Sequence, residues 1–119
     1  MIVDDEVDFL KIVKINLEDT CKYEVETVSD AAGIIERVKL FNPDIILLDI
    51  LMPKVGGIEV CKMLNEDYAG RRVPIIVLSA LDTDKDKLMM YNLGVVDFLV
   101  KPVEKDELIS RIEKALQYK

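Results

Sequence analysis

The sequence predicts an α/β domain, a doubly wound five-stranded parallel sheet in the strand order 2-1-3-4-5 with five helices, and three observations carry that prediction. First, residues 44–49 (Asp-Ile-Ile-Leu-Leu-Asp) and 75–79 (Ile-Ile-Val-Leu-Ser) are short apolar runs that each end on a polar residue. A strand apolar on both faces belongs in the interior of a parallel sheet. Second, strand-like and helix-like segments alternate along the whole chain in five β/α units with short connections, and such alternation builds a parallel sheet covered on both faces. Third, residues 23–28 (Tyr-Glu-Val-Glu-Thr-Val) alternate strictly, as a strand with one wet face does at a sheet edge.

Taking the elements in order, Val3 leads into Asp4-Asp5-Glu6 with so little ahead of it that the first strand reads as clipped, and a longer natural N-terminus is expected. Phe9, Leu10, Val13 and Leu17 fall near helical spacing over residues 6–19. After the alternating strand, Ser29 is the expected N-cap of a helix over 30–41, with Ile34, Ile35 and Val38 inward. Gly33 weakens that helix by about 1 kcal/mol relative to alanine. Asn42-Pro43 breaks it and opens the strand that ends at Asp49. Gly56-Gly57 lets the chain turn into a third helix with Val60, Cys61 and Leu64 inward, and Gly70 closes the connection after it. Pro74 begins the strand that ends at Ser79. A charged helix over 82–92 has a thin apolar side of Leu88, Met89 and Tyr91, and Gly94 stops it. The last strand, 95–100, ends at Lys101-Pro102. The last helix, 104–117, turns Leu108, Ile109, Ile112 and Leu116 inward.

The 119 residues form one domain, 1–119, with no room for a second, and half of them are hydrophobic, enough for a real core. Sixteen basic against 23 acidic residues leave 16 − 23 = −7, which argues against a nucleic-acid or anionic-membrane surface. The longest apolar run falls short of a bilayer span, and residues 1–6 have neither a basic region nor a long apolar core, so the expected location is cytoplasmic. Cys21 and Cys61 lack metal-ligand spacing and read as small hydrophobes in a reducing compartment. Histidine is absent, which excludes His-based triads and any self-contained phosphohistidine chemistry.

Four of the five strands end in polar or charged groups: Asp4-Asp5, Asp49, Ser79 and Lys101. In this strand order the first and third strands flank the switch point where α/β sheets bind ligands. Three converging carboxylates repel one another and raise each other's pKa unless a cation neutralises them. Oxygen-only ligands favour Mg²⁺ over Zn²⁺. A carboxylate beside Mg²⁺, a hydroxyl and a lysine makes a site for phosphoryl transfer to the carboxylate itself. Asp49 would be the nucleophile. Lys101 would neutralise charge on the transferring group, and Ser79 would donate a hydrogen bond to it.

These residues, in order and over nearly the whole chain, resemble the receiver domain of bacterial response regulators. The pattern is met by Asp4-Asp5, by Asp49 with Met52-Pro53 and Gly56-Gly57 behind it, by Ser79-Ala80 and by Lys101-Pro102. The resemblance implies a flavodoxin-like fold with the same strand order. It implies a two-component phosphorelay switch in which Asp49 accepts a phosphoryl group from a sensor histidine kinase or phosphotransfer protein. Asp5, Asp49 and the backbone carbonyl of Leu51 would ligate Mg²⁺, with Asp4 acting mainly through water. Ser79 would move toward the phosphoryl group, and Phe98, where the family often has tyrosine, would turn inward behind it. The fourth helix, fifth strand and fifth helix would form the signalling surface for a downstream effector or an attached output domain. Asp97 and Arg111 sit where some relatives pair into homodimers. Leu51 and Leu81, apolar at two residues beyond Asp49 and Ser79, are expected to shield the acyl phosphate from water and prolong the signal.

Three other readings compete. A Mg²⁺-dependent phosphatase with an aspartyl nucleophile wants a second acid where Leu51 stands. A flavodoxin-like mononucleotide binder needs a phosphate-cradling loop where Asp4-Asp5-Glu6 stands, and the common glycine-rich phosphate motifs are missing. A non-phosphorylated interaction module would not need the full acidic set.

Overall fold

The computed structural model describes residues 1–50, 56–68, 70–80 and 84–117, apart from the side chain of Asp86. Its five-stranded sheet has the predicted order β2-β1-β3-β4-β5, formed by β1 (Ile2–Val3), β2 (Thr27–Val28), β3 (Ile46–Asp49), β4 (Ile75–Ser79) and β5 (Asp97–Val100). All pairings are parallel. Asp49 lies opposite Leu78, and Ser79 opposite Val100. The register therefore brings the ends of three neighbouring strands to one edge, and Asp4 follows directly on β1 beside them.

The helices are α1 (Val7–Glu18), α2 (Ile34–Phe41), α3 (Gly57–Glu66), α4 (Asp84–Asn92) and α5 (Lys105–Gln117), with a short 3₁₀ turn at Gly70–Arg72. Two separate cores show which face each covers. Val3, Leu48, Ile75, Val77 and Phe98 pack with Val38, Leu64 and Met90 from α2, α3 and α4. Ile2, Leu47, Ile76, Leu78 and Leu99 pack with Val13 from α1 and Ile112 from α5. Consecutive strand residues such as Leu47 and Leu48 thus enter different cores, because side chains alternate across a sheet. Each fully buried aliphatic side chain contributes roughly 1.5–3 kcal/mol.

β3 begins at Ile46 rather than residue 44, and four further boundaries or faces differ from the sequence reading. The strand expected over 23–28 is only Thr27–Val28, because β1 offers just Ile2 and Val3 as partners. Further back the chain is held by a side chain instead, the Val25 N–H donating to Glu18 Oε2 at 3.3 Å. Helix α2 starts at Ile34 rather than residue 30, and its N-cap is Gly33, not Ser29. Asp30 Oδ1 accepts the Ala32 N–H at 3.0 Å, a local turn that competes with helix. Gly33 then takes a left-handed φ of 72° that side-chain-bearing residues rarely adopt. The last strand begins at Asp97 rather than Val95, since the Val95 N–H closes on the Met90 carbonyl at the end of α4.

The fourth difference concerns how α4 is held. Leu88, Met89 and Tyr91 are exposed, and Met90 is fully buried. Met90→Ala is therefore expected to cost about 2–4 kcal/mol and to speed amide exchange through α4 more than through α5, as hydrogen-exchange mass spectrometry would report.

Candidate functional site

Strand ends place the polar groups, and one glycine lets the next helix start beside them. A Cβ at Gly57 would stand 2.3 Å from Ile50 Cα and 2.6 Å from the Asp49 carbonyl oxygen. Without one, the Gly57 N–H donates to the Ile50 carbonyl at 3.2 Å, and α3 begins against the end of β3. The glycine pair read as a turn element is thus at Gly57 a close-packing element.

Asp4 and Asp49 are almost fully buried, at 1% and 4% exposure, and Ser79 is completely so. One carboxylate oxygen each from Asp4, Asp5 and Asp49 lies within 4.8 Å of the others. The Lys101 ammonium sits among them, with Nζ 2.6 Å from Asp4 Oδ2, 3.7 Å from Glu6 Oε1 and 4.0 Å from Asp49 Oδ2. Its backbone is fixed too, since the Lys101 N–H donates to the Ser79 carbonyl at 2.8 Å. Asp4 uses both oxygens, the second accepting the Glu6 N–H at 2.9 Å. Phe9 of α1 also lies against the ammonium, its ring centroid 4.2 Å from Lys101 Nζ. Among the described residues, no buried side-chain nitrogen or oxygen lacks a hydrogen-bond partner.

The structure therefore brings together Asp4, Asp5, Asp49, Ser79 and Lys101, all singled out from sequence. Phe98 is buried at 7% exposure in the core under α4, with Lys87 Nζ 5.8 Å from its ring centroid. Leu51, Met52-Pro53 and Leu81 lie outside the described residues. Glu6 and Phe9 carry no role in the sequence reading. The available signal is position: Glu6 adjoins the acidic pair, and Phe9 lies one helical turn beyond Asp5.

The donor set is all oxygen and fits a hard divalent ion. Mg²⁺ holds its ligands at about 2.1 Å, so oxygens across one ion stand roughly 4.2 Å apart. One oxygen from each of the three carboxylates lies within 4.8 Å of the others, close to the spacing of oxygens that share such an ion. Away from this edge, Arg111 of α5 grips Asp97 of β5 through two contacts of 2.9 and 2.8 Å within the same chain. That pairing pushes the Arg111 pKa above its ordinary value. Burial pushes the Cys61 thiol up to about 12, which keeps it protonated and inert.

The model of the family described as "Response regulator receiver domain" matches residues 1–113. The chain belongs to the response regulator receiver family. This receiver domain is 35% identical over 117 residues to the alkaline phosphatase synthesis transcriptional regulatory protein PhoP of Bacillus subtilis, covering 98% of this chain and 48% of that protein. It is 32% identical over 117 residues to the DNA-binding dual master transcriptional regulator RpaA of Synechocystis, again covering 98% and 48%. The chain thus spans about half the length of the curated relatives it matches. Among solved structures, the chemotaxis protein CheY4 of Vibrio cholerae superposes with a TM-score of 0.89 at 26% identity, covering 96% of this chain and 94% of that one. The receiver domain contains, among its described residues, no helix long and apolar enough to cross a membrane.

Proposed function

We propose that this receiver domain is a phosphorylation-activated switch in which Asp49 accepts a phosphoryl group from the phosphohistidine of a partner kinase or phosphotransfer protein. One observation carries the reading: the Lys101 ammonium lies between Asp4 and Asp49, inside a cluster of three carboxylates at the sheet edge. An Asp49 carboxylate oxygen attacks phosphorus, the bond from phosphorus to the imidazole nitrogen breaks, and the nitrogen keeps the electron pair. Lys101 stands close enough to meet the charge on the transferring oxygens. Ser79, at the end of the adjacent strand, would donate a hydrogen bond to one of them.

Asp5 and Asp49 would hold Mg²⁺, together with the Leu51 carbonyl expected from sequence. Bound there, the ion supplies neutralising charge to the phosphoryl oxygens. Asp4 has both oxygens engaged, which supports an indirect role through water. Adding Mg²⁺ at about ten times its Kd is expected to stabilise the fold by roughly 1.4 kcal/mol. Thermal melts should show that gain in the wild-type chain and lose most of it in Asp5→Asn.

The output surface in this reading is α4, β5 and α5. Its support is exposed apolar area, since Leu88, Met89, Tyr91, Val96 and Val100 are all solvent-facing. A downstream effector, an attached output domain or a second copy would cover it. For the second copy, Arg111 and Asp97 would have to share or exchange the bond they make within one chain. Identical sedimentation with and without beryllofluoride would exclude phosphorylation-linked dimerisation.

The functional test is incubation with acetyl phosphate and Mg²⁺. A phosphoryl adduct by intact mass that vanishes in Asp49→Asn is expected. No adduct with or without metal would end the switch reading, and sustained turnover of phosphate esters would favour an aspartyl phosphatase.

A further inference from the structure

We propose that Phe9 is a positioning residue for Lys101, its ring face holding the ammonium over the carboxylates during phosphoryl transfer to Asp49. The inference rests on the function proposed above and deepens it at one side chain.

The ammonium has three groups of neighbours. Asp4 Oδ2 lies at 2.6 Å, the more distant Glu6 and Asp49 oxygens lie at 3.7 and 4.0 Å, and the Phe9 ring centroid lies at 4.2 Å. The lysine side chain is only 14% exposed. The ring is thus an uncharged neighbour at contact range. An aromatic face attracts a cation through its quadrupole, and more strongly when water is excluded. An aliphatic group in the same place would desolvate the ammonium and return nothing electrostatic.

Geometry makes this a matter of positioning and not of packing alone. Lys101 lies nearer Asp4 than Asp49. To serve a phosphoryl group on Asp49, its ammonium has to shift by an ångström or so without escaping to solvent. Phe9 and Lys101 both line the groove of about 500 Å³ between α1 and α5, together with Val13, Val103 and Leu108. That groove is the open side onto which a long, flexible lysine would otherwise swing. A flat ring attracts the cation over its whole face, so the ammonium can move along it while staying covered. Phe9 itself is half-buried at the edge of the α1 and α5 core, so trimming it to an aliphatic side chain leaves the fully buried residues of that core in place.

The test compares phosphoryl uptake from acetyl phosphate with Mg²⁺ in wild type, Phe9→Leu and Phe9→Tyr, alongside NMR of the Lys101 ε-methylene protons. Wild type should show those protons shifted upfield by the ring current. Phe9→Leu should move them to ordinary lysine values and slow uptake about five- to tenfold. Phe9→Tyr, which keeps the ring face, should restore both to within about twofold. Because tyrosine also keeps the ring's volume, thermal melts separate the two roles: positioning predicts slow uptake in a Phe9→Leu chain that melts close to wild type, whereas a purely structural role predicts uptake that falls only as far as the folded fraction does. Should Phe9→Leu not fold, Phe9→Met carries the same comparison. Uptake in the non-aromatic variant equal to wild type, or equal loss in the leucine and tyrosine variants, would overturn the positioning role. No adduct on the wild-type chain would instead overturn the functional reading, and this proposal with it.

Discussion

Lys101→Met is expected to slow phosphoryl uptake by Asp49 by about two to three orders of magnitude, the usual loss when one preorganised charge-stabilising donor is removed from a water-poor site. Methionine keeps most of the stem, so the contact with Phe9 survives while the charge goes. What remains, among the described residues, are three carboxylates with oxygens within 4.8 Å and no ammonium among them. Asp4 then loses its 2.6 Å partner. Uptake from acetyl phosphate at saturating Mg²⁺, followed by intact mass over time, measures the effect. A rate within about threefold of wild type would show that Lys101 does not act on the transferring group.

Gly57→Ala is expected to produce the largest loss of stability. Its Cβ would lie 2.3 Å from Ile50 Cα and 2.6 Å from the Asp49 carbonyl oxygen, both backbone atoms that no rotamer change can move. Overpacking against backbone falls at or beyond the upper end of the usual range, about 3 kcal/mol, which for a domain of this size lowers the melting temperature by roughly 10 °C. Because the clash falls on the end of β3, uptake by the residual folded protein should drop as well. The neighbouring Gly56 provides the control. A Cβ there meets nothing within 4 Å, and its φ of −67° suits any residue. Gly56→Ala should therefore change stability by no more than about 1 kcal/mol. Equal melting temperatures for the two variants would contradict the close-packing role assigned to Gly57.

How legible the fold is from sequence depends on what fixes each element. The bounds of β4, Ile75–Ser79, match the sequence reading, because an apolar run demanded by both cores is flanked by a proline and a polar residue. The start of α2 does not, because the turn at Asp30 and the left-handed Gly33 decide it locally. The length of β2 does not either, since it depends on how many residues a distant strand can offer as partners. In α4 the consecutive Leu88, Met89, Met90 and Tyr91 leave the helix phase open, and only docking reveals that Met90 is the one that enters the core.

The same distinction governs the site. Asp4, Asp5, Asp49, Ser79 and Lys101 sit at or just beyond strand ends, and parallel strands deliver their carboxyl ends to one edge whatever the details of packing. Glu6 and Phe9 approach Lys101 from the start of α1. Their contact depends on the angle at which that helix docks, which residue spacing does not encode.

The most direct measurement of the central claim is to phosphorylate the chain with acetyl phosphate and Mg²⁺, reduce the product with borohydride, and sequence its peptides by mass spectrometry. Reduction converts an aspartyl phosphate to homoserine. Homoserine is expected at position 49 in the wild-type chain and at no position in Asp49→Asn. Homoserine at Asp4, Asp5 or any other carboxylate, with position 49 unmodified, would contradict it.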